Sequence, residues 1–300
     1  MRFLRHVPFP NSRPTFFVVA LAVILAGCSG ADRDLKIEIS ERANPWTHLN
    51  LYNSSHNFQF AIVSDRTGGH RPGIFAQAVE KLNLLKPEFV MCVGDLIEGY
   101  IEDEPELDRQ WQEFDSLANR LQMPFFYVPG NHDISNEVMA KKWRQRRGEG
   151  YYHFVYRNVL FLCLNTEDSG RRYMSERQID YFRDVLTDNH HVRWTLIFMH
   201  EPMWLGASYE NWQQFDSLLQ NKNYTVFAGH THTYSKLIRN GTRYYILATT
   251  GGSGDGEAGK PAGVAQCQFD HIVWVTMADD GPVLANLLLE GILDDEPCPQ

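Results

Sequence analysis

The chain has 300 residues, of which 43% are hydrophobic and 22% charged, and this composition excludes a fibrous or wholly disordered protein. The length allows one large domain or two small ones, each with a sizeable core. The net charge of −9 argues against non-specific nucleic-acid binding, which depends on Lys and Arg neutralising phosphates, so we expect no nucleic-acid partner. Five cysteines are too few for a disulfide-built scaffold.

The first 28 residues have the pattern of an export signal. Three arginines flank the start of an uncharged apolar run over residues 15–27, which is shorter than the roughly 20 residues that a membrane-spanning helix needs. The run ends in Leu25-Ala26-Gly27-Cys28, which resembles the lipobox of bacterial lipoproteins. That resemblance implies cleavage before Cys28 and acylation of its thiol and of the new amino terminus, enough for stable membrane anchoring. An uncleaved short membrane helix is the alternative.

These features predict three parts: a lipoprotein signal peptide over residues 1–27, a polar tether over residues 28–56 and one domain over residues 57–300. Ser29 follows the lipidated cysteine in place of the Asp that marks inner-membrane retention in enterobacterial sorting. We therefore expect a lipid-anchored protein of the bacterial cell envelope, held at the outer membrane and facing the periplasm. The sequence leaves its oligomeric state open.

From Phe58 onward, strand-length apolar runs alternate with amphipathic segments of helical spacing. Strands are predicted over residues 58–64, 89–93, 125–128, 194–199, 224–228, 271–277 and 283–289, helices over residues 72–85, 107–121 and 175–186, and hairpins over residues 151–165 and 234–248. The second hairpin turns at Asn240-Gly241, a strong two-residue turn signal. This order predicts a single α/β domain with antiparallel strands at the sheet edges.

Five of the predicted strands end in potential metal ligands or acid–base groups. Ligands of open α/β sheets bind beyond the carboxyl ends of the strands, so residues far apart in the sequence are expected to converge there. Two aspartates, one asparagine and three histidines suit Mn, Fe, Zn or Ni rather than a thiolate site. The candidate residues are Asp65, Asp95, Asn131, His132, Asp133, His200, His230 and His232.

In this order, these residues resemble the signature of the calcineurin-like metallophosphoesterases. The matching motifs are Asp65, Gly94-Asp95, Gly130-Asn131-His132-Asp133, His200 and Gly229-His230-Thr231-His232. The resemblance implies a four-layer α/β/β/α sandwich of the metallophosphoesterase type, with a centre of two divalent or trivalent metal ions. It also implies that Asp95 bridges both ions, that Asp65 and His232 complete one site, and that Asn131, His200 and His230 hold the other. His132 would stand near the leaving group as general acid, with Asp133 orienting it.

One motif departs from the family pattern. The family has Asp-x-His where this chain has Asp65-Arg66-Thr67, and a threonine hydroxyl replaces imidazole poorly as a ligand. Either Thr67 leaves that position to water or His70, three residues beyond Thr67, completes the first metal site. Arg66 is a candidate for binding the substrate phosphate, because its guanidinium matches phosphate geometry.

The predicted function is metal-dependent hydrolysis of a small phosphoester, a phosphomonoester or a phosphodiester. The acidic segment over residues 97–108 disfavours highly phosphorylated or polynucleotide substrates. The alternative is a catalytically weak, metal-binding envelope lipoprotein that acts as a receptor or scaffold. Thr67 favours this alternative, and the presence of His132 disfavours it.

Overall fold

The computed structural model describes residues 46–48, 51–52, 54–206 and 209–291. The predicted signal peptide and Cys28 lie outside these residues. The described strands are β1 (Phe58–Val63), β2 (Val90–Cys92), β3 (Phe125–Phe126), β4 (Tyr152–Tyr156), β5 (Val159–Cys163), β6 (Trp194–Phe198), β7 (Tyr224–Ala228), β8 (Ser235–Arg239), β9 (Thr242–Ile246), β10 (His271–Ala278) and β11 (Gly281–Leu288). The described α-helices are α1 (Ile74–Leu85), α2 (Glu104–Ala118), α3 (Glu137–Arg147), α4 (Glu176–Asp188) and α5 (Tyr209–Asp216).

Two sheets contain these strands. The first has the order β11-β10-β1-β2-β3. Strands β1, β2 and β3 are parallel to one another, and β10 is antiparallel to both of its neighbours, β1 and β11. The second has the order β4-β5-β6-β7-β9-β8, with parallel central strands and antiparallel β4 and β8 at its edges. The predicted antiparallel edge strands are therefore found at three of the four sheet edges, while the fourth edge strand, β3, is parallel to β2. The carboxyl ends of the central strands meet at one edge of each sheet.

Aromatic side chains fill the space between the two sheets. The ring of Phe60 on β1 lies 5.5 Å from that of Phe161 on β5 and 6.3 Å from that of Phe198 on β6. One hydrophobic cluster joins these rings to α1 and α2 on the first sheet, while a second cluster joins the other face of the second sheet to α4 and α5. The layers follow the order helix, sheet, sheet, helix, which confirms the predicted four-layer sandwich.

Helices α3 and α5 are absent from the sequence prediction. Most residues of α3 are charged, and its buried face offers only Met139 and Trp143 as apolar residues, so the periodic signal is sparse. The helix begins at an N-cap, where the Asn136 side chain accepts a hydrogen bond from the Met139 N–H. Basic residues of the helix pair with acidic residues of α2, as the buried Lys142 does with Asp108. Tertiary ion pairs therefore support a helix that local hydrophobic periodicity does not reveal.

No helix of the described residues is long and apolar enough to cross a membrane.

Replacement of Phe161 with alanine should lower the free energy of unfolding by about 3–5 kcal/mol, because it leaves a cavity between the two sheets. The matched control is Val283→Ala on β11, whose side chain is exposed, and it should cost less than about 1 kcal/mol. Urea unfolding followed by tryptophan fluorescence measures both. A loss for Phe161→Ala as small as that of the control would contradict the packing between the sheets.

Candidate metal centre

The predicted ligands converge at the carboxyl ends of the strands. Asp65 and Asp95 follow β1 and β2 in the first sheet, whereas His200 and His230 follow β6 and β7 in the second. Among the described residues, two groups offer ligand atoms within 4.8 Å of one another. One group is Asp95, His200 and His230, and the other is Asp65, Asp95 and His232. Asp95 belongs to both groups, which is the position that a bridging carboxylate requires.

Backbone hydrogen bonds orient two of the imidazoles. His200 Nδ1 lies 2.8 Å from the carbonyl oxygen of Val93, and His232 Nδ1 lies 2.7 Å from that of Ser253. Because a carbonyl only accepts hydrogen bonds, Nδ1 carries the proton in both rings. Nε2 of His200 therefore faces Asp95 Oδ2 at 3.1 Å, and Nε2 of His232 faces Asp65 Oδ1 at 3.4 Å. Such outer contacts fix the tautomer that presents a lone pair to a metal ion.

Asn131 lies between His200 and His230, the two histidines of the group that also contains Asp95 and is called the second ligand group from here on, the group of Asp65, Asp95 and His232 being the first. Its Oδ1 is 2.9 Å from His200 Nε2 and 2.9 Å from His230 Nδ1. The amide oxygen and the two ring nitrogens thus point at one location, as the ligand set of a single cation would. Carboxylate, imidazole and amide donors together fit the metals predicted from the sequence, without a thiolate.

Glycines allow the ligand loops to approach closely. A Cβ on Gly130 would lie 2.2 Å from Asp95 Oδ1, and one on Gly229 would lie 2.3 Å from Asp65 Oδ2. No larger residue fits at either position without moving a carboxylate. Asp95 and His230 themselves have positive φ angles of 58° and 72°, a conformation that non-glycine residues adopt at a cost and that is concentrated at functional sites.

His132 lies beside the ligand groups and belongs to neither of them. Its Nδ1 donates to the backbone carbonyl of Glu98 at 2.6 Å, which directs Nε2 the other way. The Asp133 carboxylate instead accepts backbone N–H groups, those of Asp95 and Leu96 at 2.9 Å and that of Gly130 at 2.8 Å. The structure thus corrects one detail of the sequence analysis: Glu98 orients the His132 ring, and Asp133 orients the loops around it.

The departure from the family motif lies in a buried loop. Thr67 is fully buried, and its side chain interacts with the carboxylate of Glu98. His70 belongs to neither ligand group, and its Nε2 lies 3.3 Å from Arg66 Nη2. Arg66 is itself buried, where it donates to the Leu96 carbonyl at 2.8 Å and to Glu113 at 2.5 Å. These contacts hold the guanidinium inside the protein, and a contact with substrate phosphate stays a prediction.

A layer of groups behind His230 was not predicted from the sequence. Glu201 is buried directly after His200, and its carboxylate pairs with Arg172 and, at 3.5 Å, with Arg171. Arg172 Nη2 lies 3.0 Å from His230 Nε2, and Glu201 Oε2 lies 3.9 Å from the same atom. The group within hydrogen-bond distance of His230 Nε2 is therefore Arg172, and Glu201 holds this arginine in place through their ion pair. The only sequence signal was a glutamate beside a candidate ligand, and no local pattern assigns it this place.

The carboxylates of the centre draw protons onto the imidazoles. Burial alone would lower the pKa of His200, but the charges of Asp95 and Asp65 raise this pKa to about 10. Burial likewise opposes the charged form of His232, and Asp65 raises the pKa of His232 to about 9. Burial raises the pKa of Asp65, but the hydrogen bond with His232 and the charge of His200 lower it by more. The pKa of Asp65 therefore lies below its usual range. Cations that bind here would replace these protons as the compensating positive charge.

Comparison with known proteins agrees with this arrangement. A family model described as calcineurin-like phosphoesterase matches residues 55–234. The chain belongs to the calcineurin-like phosphoesterase family. This membership and the two ligand groups together support a centre for two metal ions.

Individual relatives are distant. Purple acid phosphatase 5 of Arabidopsis thaliana is 23% identical over 165 residues, which cover 51% of this chain and 39% of that protein. The chain thus spans about two fifths of the length of this relative. A dimetal phosphatase from Danio rerio has a TM-score of 0.58 at 15% identity and covers 77% of this chain and 96% of its own.

Two further solved structures share the fold. Purple acid phosphatase PPD1 from yellow lupin has a TM-score of 0.57 at 14% identity and covers 79% of this chain and 52% of its own. GAP50, the anchor in the inner membrane complex of Plasmodium, has a TM-score of 0.58 at 14% identity and covers 79% of this chain and 86% of its own.

Metal binding should release protons and strengthen as the pH rises. With folded-state pKa values of about 10 and about 9, His200 and His232 are protonated at pH 7 in the metal-free protein and must lose protons to bind a cation. The apparent affinity should therefore rise about tenfold per pH unit for each proton displaced between pH 6 and 8. Calorimetric titration with Mn²⁺ in buffers of different ionisation enthalpy measures the number of protons. A binding enthalpy that is independent of the buffer would contradict this expectation. The control is His190→Gln, which changes an exposed histidine and should leave the number of released protons unchanged.

Proposed function

We propose that this protein hydrolyses a small phosphoester at a dinuclear metal centre bridged by Asp95. The observation that carries the proposal is the sharing of Asp95 by two ligand groups at the carboxyl ends of the strands. In this proposal, Asp65 and His232 complete the first site, and Asn131, His200 and His230 hold the second. Two bound cations would polarise the phosphoryl group and make hydroxide available near neutral pH.

His132 is the proposed general acid. Its Nε2 would lie 3.7 Å from a Cβ placed on Gly68, and Nε2 of His232 would lie 3.1 Å from the same point. The free nitrogen of His132 therefore lies at the rim of the first ligand group. Because Nδ1 donates to the Glu98 carbonyl, the imidazolium form carries its second proton on Nε2, on the side where a departing alkoxide needs it. An imidazole suits this role because its pKa lies near neutral pH.

The proposal is tested with the metal-loaded protein and a panel of phosphomonoesters and phosphodiesters. The wild-type protein should bind up to two ions and hydrolyse members of the panel. Asp95→Asn should lower both metal content and kcat/KM. The loss in kcat/KM should exceed the roughly 10- to 100-fold that loss of an outer partner of a ligand costs.

Thr67→Ala is the matched comparison for Asp95→Asn, because it changes a buried neighbour that serves at most one ion, and its effect should be smaller. Full retention of two ions by Asp95→Asn would exclude a bridging role for Asp95.

Replacement of His132 with alanine should leave the metal content nearly intact and lower turnover by about 10²–10⁴-fold, the usual contribution of a positioned general acid. The loss should be smallest for nitrophenyl phosphate, whose leaving group departs without a proton, and largest for alkyl phosphates. The measurement is the ratio of the wild-type rate to the variant rate across leaving groups of graded pKa. A constant ratio would mean that His132 positions the substrate instead, and loss of metal would make it a ligand.

Two observations support a different function. The fully buried Thr67 replaces an imidazole of the family motif, which weakens the first site, and the similar structure of GAP50 belongs to an anchor in a membrane complex. A metal-binding lipoprotein that acts as a receptor or scaffold is therefore the second candidate. Two bound ions without hydrolysis of any panel member would favour it over the enzyme.

We also propose attachment to the bacterial cell envelope through a lipid on Cys28, with the protein held at the outer membrane and facing the periplasm. The support is the apolar run that ends in Leu25-Ala26-Gly27-Cys28. Cys28→Ala should abolish labelling with radioactive palmitate and release the protein from the membrane fraction. The control is Cys267→Ala, which removes an exposed thiol of the folded domain. Labelling that survives in the Cys28 variant would reject the lipid anchor.

A further inference from the structure

Tyr100 lies in a tight bend beside the metal centre. Gly99 and Tyr100 both have positive φ angles, 59° and 51°, and a tyrosine adopts this conformation only when its surroundings hold it there. A Cβ on Gly99 would lie 1.7 Å from the His132 carbonyl oxygen, so the bend packs directly on the backbone of His132. The Tyr100 side chain is therefore fixed relative to the loop that carries Asn131 and His132.

The Tyr100 side chain touches both of these residues. Its hydroxyl oxygen accepts a hydrogen bond from Asn131 Nδ2 at 2.7 Å. This bond turns the amide so that Oδ1 faces the histidines of the second ligand group. The Tyr100 ring meets the His132 ring edge-on, at 4.8 Å between centroids and 87° between planes. Tyr100 thus joins a proposed metal ligand to the proposed general acid.

The hydroxyl hydrogen of Tyr100 remains available for another partner. Asn131 Nδ2 can only donate, so this contact occupies an acceptor position of the hydroxyl and leaves its own hydrogen free to point elsewhere. Within the described part of the chain, Asn131 is the hydrogen-bond partner of this hydroxyl. Tyr100 is 54% exposed and borders a cleft of about 400 Å³ together with Asn131 and Ile134, a volume suited to a small organic ligand.

We propose that Tyr100 is a further catalytic residue, whose hydroxyl donates a hydrogen bond to a phosphoryl oxygen of the substrate. This inference rests on the proposed function. Negative charge grows on the phosphoryl oxygens as the ester bond breaks, so a donor fixed by Asn131 and by the bend binds the transition state more tightly than the substrate. Tyr100 is neutral, so it supplies this contact without adding charge to a centre already rich in carboxylates.

Tyr100→Phe removes the hydroxyl and keeps the ring against His132. The variant should retain both metal ions and lose about 10- to 100-fold in kcat/KM, as expected for loss of a hydrogen bond to a charged group. Binding of orthovanadate, which adopts the geometry of the transition state, should weaken by the same factor, while binding of inorganic phosphate should weaken less. Tyr156→Phe is the matched control, because its hydroxyl contacts Glu88 at the opposite end of β4 and β5, and it should change none of these quantities.

Each outcome decides a different point. Loss of metal from Tyr100→Phe would overturn the proposal and make Tyr100 a positioning residue for Asn131. Unchanged kcat/KM and unchanged vanadate binding would exclude the contact with substrate. Binding of vanadate and phosphate needs no turnover, so these measurements separate this proposal from the proposed function. If the wild-type protein hydrolyses nothing but binds vanadate more tightly than Tyr100→Phe does, the contact of Tyr100 with the phosphoryl group is supported and the proposed hydrolysis is rejected.

Discussion

The buried carboxylate of Asp133 holds the centre of this molecule together. It accepts backbone N–H groups from Asp95, Leu96 and Ile97 after β2 and from Gly130 after β3. One side chain thereby fixes the two loops that present the shared carboxylate and the asparagine. Without these bonds, several backbone donors would be buried without partners, each at a cost of about 1–3 kcal/mol.

This arrangement places one acid close to another. Burial and the charge of Asp95 raise the pKa of Asp133 to about 7, although hydrogen bonds from backbone N–H groups favour its ionised form. A cation bound to Asp95 would relieve this repulsion and stabilise the Asp133 carboxylate. The structure of the loops and the occupancy of the metal centre are therefore coupled: cations that bind to Asp95 also strengthen the hydrogen bonds that hold Asp95 in place.

The acidic segment over residues 97–108 is less repulsive than its sequence suggests. Glu104 and Asp108 pair with Lys142, and Glu106 pairs with Arg109. The Glu98 carboxylate turns inward to the backbone N–H of His70 at 2.5 Å. Much of this charge is thus neutralised or held within the protein. The acidic segment is therefore a weaker argument against highly phosphorylated substrates than the sequence alone suggests.

The sequence predicted those parts of the fold that depend on local patterns. Most strands were predicted because apolar runs of strand length mark them, and their terminal residues converge as the topology of parallel strands requires. Contacts between distant segments were not predictable: the place of Glu201 behind His230 and the bond from Asn131 to Tyr100 have no local signature. Helix α3 was not predicted for a similar reason, since ion pairs with α2 support it more than its own apolar residues do.

The two ligand groups differ in the number of imidazoles that they contain. The second group has two imidazoles and the Asn131 carbonyl around Asp95, and outer contacts orient them. The first group has Asp65 and His232 beside Asp95, and the position of the missing imidazole holds the fully buried Thr67, whose side chain interacts with the Glu98 carboxylate. The first group therefore offers a cation three protein ligands, whereas the second group offers four when Asn131 is included.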